Sequence, residues 1–311
     1  MTAPAVLAVP RLSRDTLVDL SALRPGRFVR MLVADWAVVL GAAALFIAWT
    51  NVLTLIVAVV LIGGRQHAFF ILMHDTTHFR ALTDRRRADR LANLLLAWPL
   101  GFSIEGYRVT HLAHHRSTNT EDDPDFRRRM GNPEWIFPMS PQRFYGLFLR
   151  DLTGVSLLGE WGGALVARIR AVVHTPSRLV SWRPSPSLLM LAALVAVTVP
   201  FGVTLKVLVL WLLPMVTWTE AIVRLRNVSE HFALPDRELL HPTRTLLVSR
   251  PVSLLLGLRN ANFHVEHHLY PSVPLTRLPD LRAALLRQEG YVEATHTTHG
   301  IVHLVRECLG R

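Results

Sequence analysis

The chain has one cysteine, Cys308, and one lysine, Lys206, in 311 residues. A single cysteine excludes an internal disulfide, a cysteine-held iron–sulfur cluster and a rubredoxin-like electron carrier within the chain. With one lysine, the formal charge of +11 rests almost wholly on arginine. Those arginines flank apolar runs and do not gather on one soluble face with stacking aromatics, so they read as topology signals and not as a nucleic-acid surface. The polar first thirty residues hold Arg11, Arg14, Arg24, Arg27 and Arg30 and no apolar core with a small-residue cleavage site, so no removable secretory signal is expected. Internal repeats, low-complexity segments, long linkers and a Gly-rich dinucleotide fingerprint are also missing. Charge itself is scarce: 18% of residues are charged and 50% are hydrophobic. With a positive mean hydropathy, that balance points to a membrane protein.

Trp36 to Gly64 carries no charge, and apolar character resumes after Arg65 as far as Met73. This is too long for one span of about 20 residues, so "TNVLT" at 50–54 is expected to turn between two membrane helices. Ser187 to Val223 contains only Lys206 and Glu220 as charges, and "VPFG" at 199–202 would split it into a second hairpin. The N-terminus, residues 80–150 and residues 224–311 are dense in arginine, which places all three on the cytoplasmic side. Segments 91–103 and 145–166 are interrupted and moderately apolar, and are expected at the interface. The expected fold is an all-α integral membrane protein with about four transmembrane helices in two hairpins and a cytoplasmic helical cap carrying a histidine-rich dimetal site. Its expected parts are a cytoplasmic N-terminal segment (1–30), a membrane domain (31–290) and a cytoplasmic tail (291–311). Arg65, inside a span, is costly in lipid and is expected to face the bundle, where it steadies the site or a lipid head group, or else snorkels to the interface.

Three histidine clusters stand out: "HDTTH" at 74–78, "HLAHH" at 111–115 and "HVEHH" at 264–268. Positions i, i+3 and i+4 share one helical face, so each cluster can aim its imidazoles in one direction. A tetrahedral zinc site uses about four ligands, and these clusters hold about twice that, so a metal pair is the natural count. "NVSEH" at 227–231 puts Asn227 and His231 on one helical face and supplies a ninth imidazole. Metal-bound histidines usually donate their other ring nitrogen to a carboxylate or carbonyl. Asp75, Glu230, Glu266, Asp122, Asp123 and Asp125 are available for that supporting role, although the run 122–125 can equally be a solvated loop paired with Arg127 to Arg129. His67, His174 and His241 read as packed residues, and His296, His299 and His303 as part of a surface helix.

At this point the sequence resembles the membrane fatty acid desaturase superfamily, in the residues HDTTH (74–78), HLAHH (111–115) and NFHVEHHLYPSVP (262–274), in the family's order, over roughly residues 31–290. The resemblance implies a non-haem diiron centre, two iron ions cycling between Fe2+ and Fe3+ with O2 as co-substrate, that abstracts hydrogen from an unactivated C–H bond. Carried over by position, the ligands are His74, His78, His111, His114, His115, His231, His264, His267 and His268, with Asn227 reaching a metal through water. The first box has three residues between its histidines, as in acyl-lipid and many bacterial desaturases, and the third begins with His where front-end desaturases often have Gln. No cytochrome b5 "HPGG" occurs, which implies a separate electron donor such as a ferredoxin or flavodoxin with its reductase.

The expected activity is acyl-chain desaturation on a lipid or acyl-carrier substrate in a bacterial inner membrane, with the active site facing the cytoplasm. A hydroxylase or ketolase of a lipid or carotenoid is the alternative, because carotenoid ketolases also run from the second box into an acidic stretch like Asp123 to Asp125. A metal transporter is disfavoured, since ligands cluster at one end of the spans and do not line a path through them.

Overall fold

A computed structural model describes residues 11–174, 184–235 and 239–311, without the side chains of 168–169 and 171–174. The side chain of His174 therefore lies outside the described residues. A short α1 (Arg14–Leu20) leads into α2 (Pro25–Ala48), which starts on Pro25 and pairs with α3 (Val52–Thr77). The turn between α2 and α3 is where "TNVLT" predicts it. Asn51 caps α3 by accepting from the Thr54 N–H (3.0 Å), and Thr54 Oγ1 accepts from the Asn51 N–H (3.3 Å). Next come α4 (Arg85–Ala92), α5 (Ile104–Arg116), the short α6 (Pro124–Arg127), α7 (Pro141–Leu152) and α8 (Val155–His174). A second hairpin follows, α9 (Pro186–Thr198) and α10 (Thr204–Pro214), with left-handed Gly202 in its turn. A π-turn at Met215–Thr219 carries α10 into α11 (Glu220–His231). The remainder comprises α12 (Arg250–Leu256), α13 (His264–Leu269), α14 (Leu278–Leu285), α15 (Tyr291–Ala294) and α16 (Gly300–Cys308).

Two features depart from the expectation. Among the described residues, three helical stretches are long and apolar enough to cross a bilayer: Arg14–Ala48, Val52–Thr77 and Thr204–His231. The expected fourth, α9, has 13 residues. At 1.5 Å per residue it reaches about 20 Å, short of a hydrocarbon core of about 30 Å. The fold is also not purely helical, because β1 (Arg244–Leu247) pairs in parallel with β2 (His296–His299). "HTTH" is thus a strand and not part of a surface helix. Successive side chains of a strand point to opposite faces, and here Thr298 is buried while His299 faces out.

Arg65 faces the bundle, as expected. It donates to the fully buried Asp35 on α2 (3.0 Å), which also accepts from Arg259, and Arg65 further donates to the Leu254 carbonyl. Neighbouring Gly64 lets α3 approach α12 closely, since a Cβ there would run into the Leu255 carbonyl. Residues 291–311 join the packed body through Leu304 and Cys308 of α16, which cluster with Val228 and Leu246.

Candidate metal centre

The histidine clusters sit at the ends of helices that converge on one point. His74 is in the last turn of α3 and His78 is its C-cap; His111, His114 and His115 lie on α5, His231 ends α11, and His264, His267 and His268 lie on α13. Helix α5 starts cleanly because Ser103 accepts from the Gly106 N–H (3.1 Å). The nine imidazoles form two groups. His74, His78, His111, His115 and His267 make one, and His114, His231, His264 and His268 the other, with ligand atoms in each within 4.8 Å of one another. Helical geometry produces the division. Positions i and i+4 differ by about 40° around the axis, while i+3 lies about 100° from i+4. So His111 and His115 go to one group and His114 crosses to the other, and His264 and His268 pair while His267 crosses. The groups abut, with the His115 and His268 rings stacked at 4.1 Å between centroids.

Distances within the groups fit metal coordination. Nε2 atoms lie 2.9 Å apart in His78–His111, 3.1 Å in His111–His115, 3.0 Å in His115–His267, 2.9 Å in His231–His264 and 3.0 Å in His264–His268. Metal–nitrogen bonds of about 2.1 Å at right angles put neighbouring nitrogens about 3.0 Å apart, whereas a tetrahedral shell puts them about 3.4 Å apart. His74 is buried with neither ring nitrogen hydrogen-bonded, and His231, His264 and His267 each leave Nδ1 buried and unpartnered. Burial pushes His78 down to about 4, helped by Arg80, and His115 to about 2, helped by neighbouring imidazoles. Burial first, then nearby imidazoles, holds His111, His264, His267 and His268 well below the usual histidine range. Neutral rings near pH 7 are the ligand form.

The six acids have different surroundings. Asp123 is fully buried and accepts from His114 Nδ1 (2.8 Å) and from the Asn119 N–H (2.9 Å). Glu230 pairs with Arg226 (2.8 Å) and lies 3.6 Å from His264 Nε2. Glu266 is turned away: two positions after His264 it is about 200° around the helix. It accepts instead from Thr245 (2.5 Å), Arg282 (2.5 Å) and Tyr291 (3.0 Å). Asp75, one residue after His74, points sideways and accepts from the Leu275 N–H (3.2 Å). Asp122 is exposed, and Asp125, in the first turn of α6, lines the cavity and donates its N–H to Asp123 (2.8 Å). Asn227 donates to the Val223 carbonyl (2.8 Å) and shares the cavity wall with His231.

His67 packs as read, its Nδ1 donating to the Leu256 carbonyl (2.7 Å). His241 is more than packing, since its ring lies 4.6 Å from that of His268. Two residues near the centre were not singled out in the sequence. Tyr107 stacks on His111 (5.3 Å, 16°), and Thr118 lies 3.3 Å from His268 Nδ1. Tyr107 stands four residues before His111 on the same helical face, a signal open to sequence reading.

A cavity of about 490 Å3 ends on His111, His114, His231 and His264. Phe70, Phe102, Leu157, Trp161 and Met215 wall its apolar part, and Glu220, Arg224 and Glu134 line a more polar part. Arg129, read in the sequence as a partner of the acidic run 122–125, also lines this cavity and stacks over Trp135 at 4.8 Å.

Comparison with known proteins agrees with this architecture. The profile of the family described as fatty acid desaturase matches residues 35–299. A beta-carotene ketolase of Paracoccus sp. (strain N81106 / MBIC 01143) is 32% identical over 220 residues, covering 68% of this chain and 73% of the relative. A beta-carotene ketolase of Paracoccus sp. (strain PC1) is 29% identical over 221 residues, with coverages of 68% and 73%. Dihydrorhizobitoxine desaturase of Bradyrhizobium elkanii is 24% identical over 307 residues, covering 93% of this chain and 84% of the relative. The histidine clusters that converge at the helix ends all fall inside the matched region, and the chain belongs to the fatty acid desaturase family, as an oxidoreductase with membrane helices.

Proposed function

We propose that the chain is an O2-dependent oxygenase of a hydrophobic polyene, converting a ring or chain methylene of a carotenoid-type substrate to a carbonyl. The observation that carries this reading is the cavity that ends on both histidine groups between aromatic and apolar walls. The two ketolases, more similar in sequence than the desaturase, favour oxygenation over the acyl desaturation expected first. Desaturation of an acyl chain is the second reading, favoured by a desaturase that matches 93% of the chain.

In this reading His74, His78, His111, His115 and His267 hold one iron. His114, His231, His264 and His268 hold the other, with Asn227 reaching it through water. The bound pair would supply O2 activation, taking two external electrons for each O2, with two such cycles for each methylene converted to a carbonyl. The protein's own groups do the rest. Asp123 fixes the tautomer of His114 by accepting from its Nδ1. Burial pushes Tyr107 up to about 12, so its phenol stays protonated. The apolar walls hold the chain against the centre and exclude water. In this reading electrons come from a separate ferredoxin or flavodoxin, and the arginine-rich regions favour a centre on the cytoplasmic side of a bacterial inner membrane.

Expression in a host that accumulates β-carotene, followed by mass spectrometry of pigments and lipids, tests the assignment. A pigment that gains one oxygen and loses two hydrogens supports the ketolase reading. A lipid that loses two hydrogens, with pigments unchanged, supports the second reading. No change in either class refutes both.

A further inference from the structure

Strand β1 is only four residues long, yet it touches both helices that complete the four-histidine group. Arg244 is fully buried, and its guanidinium donates to the carbonyls of Val228 (3.0 Å), Ser229 (3.4 Å), Phe232 (3.0 Å) and Ala233 (2.5 Å). These carbonyls lie at and just past the end of α11, where the helix leaves its last carbonyls short of partners; that of Val228 also accepts from the Phe232 N–H (3.3 Å). Next along the strand, Thr245 donates to Glu266 on α13 (2.5 Å). The Leu246 N–H donates to the Asn262 carbonyl (2.9 Å), and its own carbonyl accepts from Asn262 Nδ2 (2.8 Å). One arm of β1 therefore grips α11 and the other α13. The guanidinium is held from behind by Glu307 of α16 (3.0 Å), which also accepts from Thr298 (2.9 Å). Glu307 lies beyond residue 299, where the family match stops.

His231, like His264, has no hydrogen bond at Nδ1 to orient its ring, so both depend on that grip. In its group, His114 is held by Asp123, and His268 has Thr118 within 3.3 Å of Nδ1. The Nδ1 of His231 is buried with no hydrogen-bond partner, so its ring goes where the end of α11 puts it. We infer that Arg244 is a positioning residue for His231, fixing the end of α11 against α13 so that His231 and His264 bring their Nε2 atoms to 2.9 Å, with Glu307 of α16 as its counter-anchor. The inference rests on reading the four-histidine group as an iron site.

The test uses full-length Arg244→Met and Glu307→Gln, with wild type and His231→Ala as references. Iron per chain, the Mössbauer spectrum of the 57Fe-loaded protein and the thermal unfolding of metal-free protein are recorded for each. Arg244→Met is expected to fall from two irons per chain to about one, with the remaining signal matching that of His231→Ala. Glu307→Gln should shift the same component and leave the other unchanged. Two irons with wild-type spectra in both variants overturn the inference. Parallel loss of both irons with a lowered unfolding temperature also overturns it, because that is what loss of general stability would do. If Arg244→Met does not accumulate, Glu307→Gln decides by the same criteria. Wild type without iron refutes the diiron reading itself, an outcome separate from either.

Discussion

Single side chains set the electronic character of the centre. Asp123 is the acid that touches a ligand through a full hydrogen bond, so Asp123→Asn should lower iron affinity about 10–100-fold, measured by chelator competition. His267→Ala should abolish turnover while membrane insertion is retained, since α13 lies outside the long apolar helices; full activity would remove the third cluster from the site. The depressed histidines also make a pH prediction. His78 and His241, both pushed to about 4, and His115, pushed to about 2, remain neutral in the fold at pH values where an unfolded chain, with histidines near 6.5, takes up protons. The unfolded state then binds more protons, so stability must fall as pH drops. Metal-free protein should unfold at progressively lower temperature from about pH 6.5 down to pH 4 and show little change from pH 7 to 8. A flat profile across the acidic range would contradict the burial of these rings. At this scale the sequence was informative about which imidazoles converge, because spacing alone reports helical direction. It was less informative about the acids: adjacency in sequence put Asp75 and Glu266 beside ligands, whereas the 100° step of the helix points them elsewhere.

Helices carry the convergence, and their close approaches are where it is vulnerable. Gly64 on α3 faces the Leu255 carbonyl of α12, one turn before His67 reaches the Leu256 carbonyl. Gly64→Ala should therefore destabilise the protein by about 1–3 kcal/mol through overpacking, seen as a lower unfolding temperature in detergent. A variant as stable as wild type would show that α12 can shift at no cost. The long apolar helices and the Asn51 turn were legible because hydropathy and capping are local. Strand β1 was not, since "RTLL" has no distinctive period and its partner lies some fifty residues away at His296–His299. Its structural value comes from Arg244, whose four carbonyl partners leave no local trace.

Across the whole molecule, the slot and the charge distribution decide what the protein must borrow. The described chain holds no cysteine cluster and no second redox module, so purified protein given NADPH and O2 should make no product until a ferredoxin or flavodoxin with its reductase is added. Product without them would refute the need for a partner. Arg129 belongs to the cavity wall, whereas Arg85, Arg86 and Arg87 are exposed on α4 and offer a docking face to an acidic electron donor. Changing these three to Gln should slow ferredoxin-supported turnover most at low salt, where screening is weakest. An unchanged rate and salt response would place the donor elsewhere.

The order in which the chain is made adds a constraint of its own. Each histidine group contains members of α13, and the clasp on α11 is not complete until Glu307 exists. Synthesis runs from the N-terminus at about 5–20 residues per second, and early segments fold first. The membrane helices can thus be in place while neither group can close. Iron loading then belongs to the finished chain, and a ribosome stalled before α13 would leave an inserted protein with six of its nine imidazoles waiting.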